Sequence, residues 1–126
     1  MTYRFHHLHL ICKDLENMIG FFTDAFGARL VQRKQFGGAE GAVLDLNGTD
    51  ISLRVEKKDE CITGDASQTC YGYDHFGLQV EDLHKAMQEL APKGVEFLSE
   101  PVDLGDKLIV FLKGPEKITI ELLQIK

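Results

Sequence analysis

An α+β fold built from two βαβββ modules, their sheets forming one curved mixed surface, is predicted by three features of the 126-residue sequence. A segment repeats: residues 5–16 (FHHLHLICKDLE) lie over 73–84 (YDHFGLQVEDLH) at a constant offset of 68, pairing His7 with His75, Leu10 with Leu78, Asp14 with Asp82 and Leu15 with Leu83. Each copy runs from alternating, strand-like residues into an Asp and then into residues of helical spacing. Three short strand-like stretches with glycine-containing turns follow each copy. Neither module alone would bury a sheet face, so the chain reads as one domain, with module 1 at about 5–56, a polar linker at about 57–72 and module 2 at about 73–124.

The first strand of each module, at 7–11 and 75–80, carries the sequences HLHLI and HFGLQV. Asp14 and Asp82 stand where N-caps belong, each able to accept from unpaired N–H groups of the first helical turn. Leu15, Met18, Ile19, Phe22 and Phe26 stripe the first helix, and Leu83, Met87 and Leu90 the second. Gly27 stops the first helix and 92–94 the second. Strands are then expected at about 29–36, 41–46 and 49–55, separated by Gly37-Gly38 and Asn47-Gly48 turns. Module 2 repeats the pattern at about 95–98, 107–112 and 117–124, with Gly105-Asp106 and Gly114-Pro115 as its turns.

Hydrophobic residues at 44% and charged residues at 27% are ordinary globular usage. A net charge of −6 with scattered Lys and Arg argues against a nucleic-acid partner. No apolar run approaches the ~20 residues of a membrane helix, so no membrane partner is expected. Cys12, Cys61 and Cys70 form no CxxC pair, and they read as one buried strand thiol and two loop thiols of a reduced compartment. The first 16 residues lack the features of a signal peptide, so the expected location is the cytoplasm.

The two-residue period of a strand gives His7, His9 and Ile11 one face, and His75, Gly77 and Gln79 another. In the last strand Ile118, Ile120 and Leu122 must pack on helices, which turns Thr119, Glu121 and Leu123 the other way. Equivalent modules relate His7 and His75 by a pseudo-twofold axis, with Glu121 on a neighbouring strand. Two imidazoles and a carboxylate suit a divalent metal and leave positions open for substrate. The bland alternative is a pair of packed or surface histidines. His6 and His84 read as surface residues, and the charged run 56–60 as a solvated linker.

The blocks HLHLICKDL (7–15), HFGLQVEDL (75–83) and GPEKITIEL (114–122) resemble the vicinal-oxygen-chelate superfamily over nearly the whole chain. That group includes glyoxalase I, methylmalonyl-CoA epimerase, extradiol dioxygenases, fosfomycin-resistance transferases and bleomycin-binding proteins. The resemblance implies metal positions at His7, His75 and Glu121, one divalent ion per site (Fe, Ni, Co, Zn or Mn), and a homodimer with exchanged modules. The family's frequent fourth ligand falls on Ser52, a poor divalent-metal ligand and no base. The surviving two-His, one-carboxylate set resembles the dioxygenases and fosfomycin transferases, although 104–111 (LGDKLIVF) lacks the transferases' serine-rich loop.

His9, two residues after His7, is then a candidate general base, with a simple hydrogen-bonding histidine as the alternative. Arg54, two after Ser52 on the same face, would offer a fork to a carboxylate or phosphate; its alternative is a surface ion pair with Glu56 or Asp50. The expected function is that of a metal-dependent enzyme of lyase or isomerase type. It would chelate adjacent oxygens of a small, oxygen-rich, anionic molecule and stabilise an enolate-like intermediate. Arg54 and Ser52 would bind the substrate, His9 would act as base, and Glu121 would contribute when it leaves the metal. Two alternatives stand beside it, an Fe(II) extradiol-type dioxygenase and a non-enzymatic protein that binds an antibiotic-like small molecule in an apolar cavity.

Overall fold

In the computed structural model, which describes residues 1–2, 4–64 and 71–126, each copy of the repeat folds into its own compact unit, Met1–Thr63 and Gly64–Lys126. Cys70, expected as a loop thiol, and the rest of 65–70 within the expected linker lie outside the described residues.

Unit 1 runs β1 (His7–Ile11), α1 (Leu15–Phe26), β2 (Arg29–Phe36), β3 (Ala39–Leu46) and β4 (Thr49–Arg54). Its sheet has the order β1-β4-β3-β2, with β1 parallel to β4 and the other pairs antiparallel. The Asp14 carboxylate accepts from the Asn17 N–H at 3.0 Å and so starts α1. Gly27, at φ 70°, ends it, and the N–H groups of Gly27 and Ala28 return to the Thr23 and Phe22 carbonyls. Leu15, Met18, Ile19 and Phe22 bury the helical stripe against β2, β3 and β4, where Leu44, Ile51 and Leu53 are also buried. Burial of each such side chain stabilises by roughly 1.5–3 kcal/mol, so packing rather than propensity holds this 12-residue helix. The opposite face of the sheet carries His7, His9 and Ile11, all exposed.

Unit 2 runs β5 (Phe76–Gln79), α2 (Leu83–Leu90), a 3₁₀ turn at Ala91–Lys93, β6 (Glu96–Phe97), β7 (Val102–Asp103), β8 (Lys107–Lys113) and β9 (Thr119–Ile125). The order β5-β9-β8-β6 repeats that of unit 1, again with the first strand parallel to the last. Asp82 caps α2 through the Lys85 N–H at 3.0 Å, and the Gln124 side-chain oxygen takes the Leu83 N–H at 2.7 Å. Ile118, Ile120 and Leu122 are buried, as the alternation requires, together with Leu83, Leu90, Val110 and Leu112.

Two elements differ from expectation. The second copy's strand begins at Phe76 rather than at residue 75, and the Thr119 carbonyl accepts from the Tyr73 hydroxyl at 3.1 Å. The strand expected at 95–98 is cut to β6, and β7, which was not expected, follows it on the same edge of β8. Pro101, which has no N–H to give a ladder, sits in the break. Cys12 is buried, its thiol donating to the Arg54 carbonyl at 3.6 Å, and Cys61 is exposed. Among the described residues no helix is long and apolar enough to cross a membrane.

The turn before β9 places two successive non-glycine residues, Glu116 (φ 54°) and Lys117 (φ 62°), in the left-handed region. That conformation costs a side-chain-bearing residue roughly 1–2 kcal/mol. Glycine escapes this cost but loses about 0.5–1 kcal/mol through the unfolded chain. Lys117→Gly is therefore expected to raise stability by about 0.5 kcal/mol in a urea titration, with unchanged slope.

Candidate metal centre

The parallel register of β1 and β4 sets His7 opposite Asp50, His9 opposite Ser52 and Ile11 opposite Arg54, all on the sheet face turned away from α1. His7 Nδ1 lies 2.9 Å from His6 Nδ1, an exposed contact that engages one ring nitrogen and leaves Nε2 outside it. His9 packs on Phe36, ring centroids 4.6 Å apart, and is 6.4 Å from the His7 ring. Phe36 can lie there because Gly41 beneath it has no side chain, and Lys34 Nζ stands 4.9 Å from the Phe36 centroid. Burial holds the His9 imidazole below the ordinary histidine range, and Arg54, His7 and Lys57 push the same way, so His9 is a neutral acceptor at neutral pH. Ser52 is 7% exposed.

Arg54 does not pair with Glu56 or Asp50. Its guanidinium makes a two-point ion pair with Glu60, Nη1 to Oε2 at 2.6 Å and Nη2 to Oε1 at 2.8 Å, and Nη1 also donates to the Val55 carbonyl at 3.1 Å. Glu60 accepts a third bond from the Lys57 N–H at 2.9 Å. The run 56–60 is thus tied to Arg54 through Glu60, while residues 56–59 remain exposed, as expected of a solvated run. The Arg54 fork, followed by the Lys57 N–H, holds the Glu60 carboxyl down to about 2. A depressed pKa makes the pairing's contribution fully present above the ordinary value of 4.5 and lost as pH falls towards 2. Acid titration followed at the Arg54 Nε–H resonance is expected to report that loss between these limits, ahead of any change in the buried strands.

In unit 2 the register sets Gly77 opposite Glu121, and Phe111 opposite Glu121 from the other side. His75, just before β5, reaches Glu121 diagonally, Nε2 to Oε2 at 2.8 Å, while its Nδ1 lies 2.6 Å from Asp74 Oδ2. The edge of its ring meets Phe111, centroids 5.0 Å apart and nearly perpendicular. The Asp74 carboxylate first, then Glu121, holds the His75 imidazole above its ordinary range despite partial burial. Glu121 is largely covered, its side chain 12% exposed.

The donor chemistry suits a divalent metal. An imidazole Nε2 and a carboxylate already in contact are two hard-to-borderline ligands aimed at a common point. Asp74 on Nδ1 fixes which ring nitrogen would face an ion. Within either unit, among the described residues, no three His, Cys, Asp or Glu side chains gather closely enough to hold an ion unaided. Unit 2 brings His75 and Glu121 into contact.

The model of the Glyoxalase/Bleomycin resistance protein/Dioxygenase superfamily matches residues 4–122. The chain belongs to this superfamily. A lactoylglutathione lyase of Arabidopsis thaliana is 28% identical over 129 residues, covering 96% of this chain but only 44% of the relative, so the chain spans less than half that protein's length. A protein named "Probable lactoylglutathione lyase" in Synechocystis sp. is 25% identical over 121 residues, covering 94% of this chain and 92% of its own. Among solved structures, a domain of the same superfamily from Frankia sp. EAN1pec matches with a TM-score of 0.82 at 21% identity, over 100% of this chain and 94% of that one. The fosfomycin resistance protein FosX from Listeria monocytogenes, complexed with Mn(II) and sulfate, matches with a TM-score of 0.72 at 18% identity, over 100% and 95%. At such identities the structural likeness speaks for the fold.

For this superfamily member, His75 and Glu121 touch within unit 2, and His7, His9, Ser52 and Arg54 share one face of unit 1. Four neighbours went unseen in the sequence: Glu60 on Arg54, Asp74 on His75, His6 on His7, and Phe36 under His9. Asp74 directly precedes His75, so adjacency alone was a usable signal. Glu60 lies in an aperiodic charged run and gave none.

Proposed function

We propose that the chain is a divalent-metal-dependent enzyme whose ion is held by His7, His75 and Glu121. The observation that carries this reading is the contact of His75 Nε2 with Glu121 Oε2 at 2.8 Å, on a module whose counterpart bears His7 at the equivalent position. A bound ion would supply Lewis-acid stabilisation of negative charge developing on substrate oxygens. The chain's own residues do the rest. Asp74 orients His75, and Glu121 holds the charge of the site in a largely covered place. His9, kept neutral and packed on Phe36, accepts a proton at a ring nitrogen. Ser52 faces the same side from β4 and offers a hydroxyl to the substrate, whereas Arg54 is engaged by Glu60.

The lyase names of relatives support a lyase or isomerase reaction on a small, oxygen-rich molecule, and lactoylglutathione is the first substrate to assay. The presence of Ser52 where a fourth ligand is frequent favours one second reading, an Fe(II) dioxygenase with a two-His, one-carboxylate set. Loading the metal-free protein separately with Mn, Fe, Co, Ni and Zn, then assaying thioester turnover and oxygen uptake, separates the two. Turnover with neither probe and no metal retained would refute both.

We further propose that the chain acts in the cytoplasm as a homodimer with exchanged modules, each site drawing His7 from one chain and His75 with Glu121 from the other. Co-expressed His7→Ala and His75→Ala chains are then expected to recover one intact site per mixed dimer, seen as metal and turnover that neither variant shows alone. No recovery in the isolated mixed dimer would contradict the exchange.

A further inference from the structure

We propose that Glu60 is a specificity-determining residue, which fills the anion-binding fork of Arg54 and so closes that position to free carboxylates and phosphates. This rests on the reading that the β1–β4 face bearing His7, His9 and Ser52 is the substrate side. Arg54 lies on that face, in register with Ile11, and its side chain is 11% exposed. A guanidinium so covered needs an anion, since leaving it unpaired is costly. The anion it has belongs to the same chain. Both terminal nitrogens meet the two oxygens of one carboxylate, the arrangement a substrate carboxylate or phosphate would otherwise adopt.

Glu60 is also prepared for this position. It sits six residues along from Arg54, in a turn closed by the Glu60 N–H on the Lys57 carbonyl at 3.1 Å. Its carboxylate takes the Lys57 N–H, and the Glu56 carboxylate takes the Ile62 N–H at 3.0 Å at the far side of the turn. The start of the segment is tied down by the Val55 N–H on the Glu40 carbonyl at 2.9 Å. A tethered ligand of this kind acts at an effective concentration on the order of millimolar or above, which a free anion must exceed before it displaces Glu60. The arrangement thus selects for substrates that present a neutral group at Arg54, and it rejects those that rely on an anionic anchor there.

The test uses inorganic phosphate as the probe on the metal-free full chain at constant ionic strength, following the backbone N–H resonances of Lys57 and Glu60, or of the residues put in their place, in wild type, Glu60→Ala and Glu60→Gln. Removing a competing charge-assisted pair is expected to lower the phosphate midpoint of Glu60→Ala at least about 10-fold below wild type. Adding Arg54→Lys in the same background should abolish the gain, because the two-point fork is lost. Glu60→Gln, which keeps an acceptor for the turn, should retain the wild-type melt and show a smaller shift in the same direction. Equal midpoints in wild type and Glu60→Ala would overturn the proposal. So would a gain that survives Arg54→Lys, or a folded Glu60→Gln with no gain at all. Metal uptake is measured separately on the wild-type chain after loading with each divalent ion, so a chain that binds no metal refutes the enzyme reading without touching this result.

Discussion

Replacing His75 with alanine is expected to take bound divalent metal from about one ion per chain to none, and to remove turnover with it. The imidazole is one of the two proposed ligands in contact within unit 2, so its loss leaves Glu121 as the one proposed ligand there. Asp74→Asn provides the graded comparison. It leaves every proposed ligand in place and removes only the charge that orients Nδ1, for which a loss of about 10–100-fold in affinity is expected. Calorimetric titration of the metal-free variants with Mn(II) and Zn(II) reads both. The order wild type, Asp74→Asn, His75→Ala in falling affinity is the expected result. If His75→Ala binds as tightly as wild type, His75 is a structural histidine held by two carboxylates. The fold should survive the change, since the histidine lies outside the buried set that packs α2.

The largest expected effect on stability is at Gly41. A Cβ built there lands against the Leu53 carbonyl oxygen and 2.5 Å from Phe36 Cδ2. One of these neighbours is a ring that can turn, but the other is backbone in the middle of the sheet, where β3 and β4 cannot separate without loss of their ladder. Overpacking typically costs 1–3 kcal/mol, and with a backbone neighbour Gly41→Ala is expected at about 3 kcal/mol, read from a urea transition. Removing the ring as well, in Gly41→Ala/Phe36→Ala, should recover only part of the loss, because the carbonyl contact remains. Phe36 also carries the His9 ring, so the same substitution should disturb the His9 resonances before the protein unfolds. An alanine at 41 with wild-type stability would contradict this account of the sheet face.

Much of the fold was legible from residue pattern because the relevant physics is local. The repeat, the Asp14 and Asp82 caps, the Gly27 stop and the Asn47-Gly48 turn, with φ 51° and 97°, depend on neighbours a few residues away. The two-residue period likewise assigned His7 and His9 to the face opposite Leu8 and Leu10, and it turned Glu121 away from Ile120 and Leu122. The parallel registers then put Ser52 beside His9 and Glu121 beside Gly77, so the two modules correspond position for position. What escaped was set by contacts without periodicity. Glu60 finds Arg54 through a turn in a run that composition alone renders as solvated charge, and Pro101 splits an edge strand that propensity would continue. His75 stands just outside its strand, beside a tyrosine hydroxyl that bonds the Thr119 carbonyl, a contact 46 residues apart that no local pattern announces.

The central claim, a divalent ion held by His7 with His75 and Glu121, is tested most directly by elemental analysis of the protein purified without chelators, alongside His7→Ala prepared in the same way. About one divalent ion per wild-type chain is expected, with most of it lost in the variant, although His7 belongs to the other unit of the repeat from His75 and Glu121. Wild-type protein that retains no ion after loading with each metal, or His7→Ala protein that keeps its full complement, would contradict it.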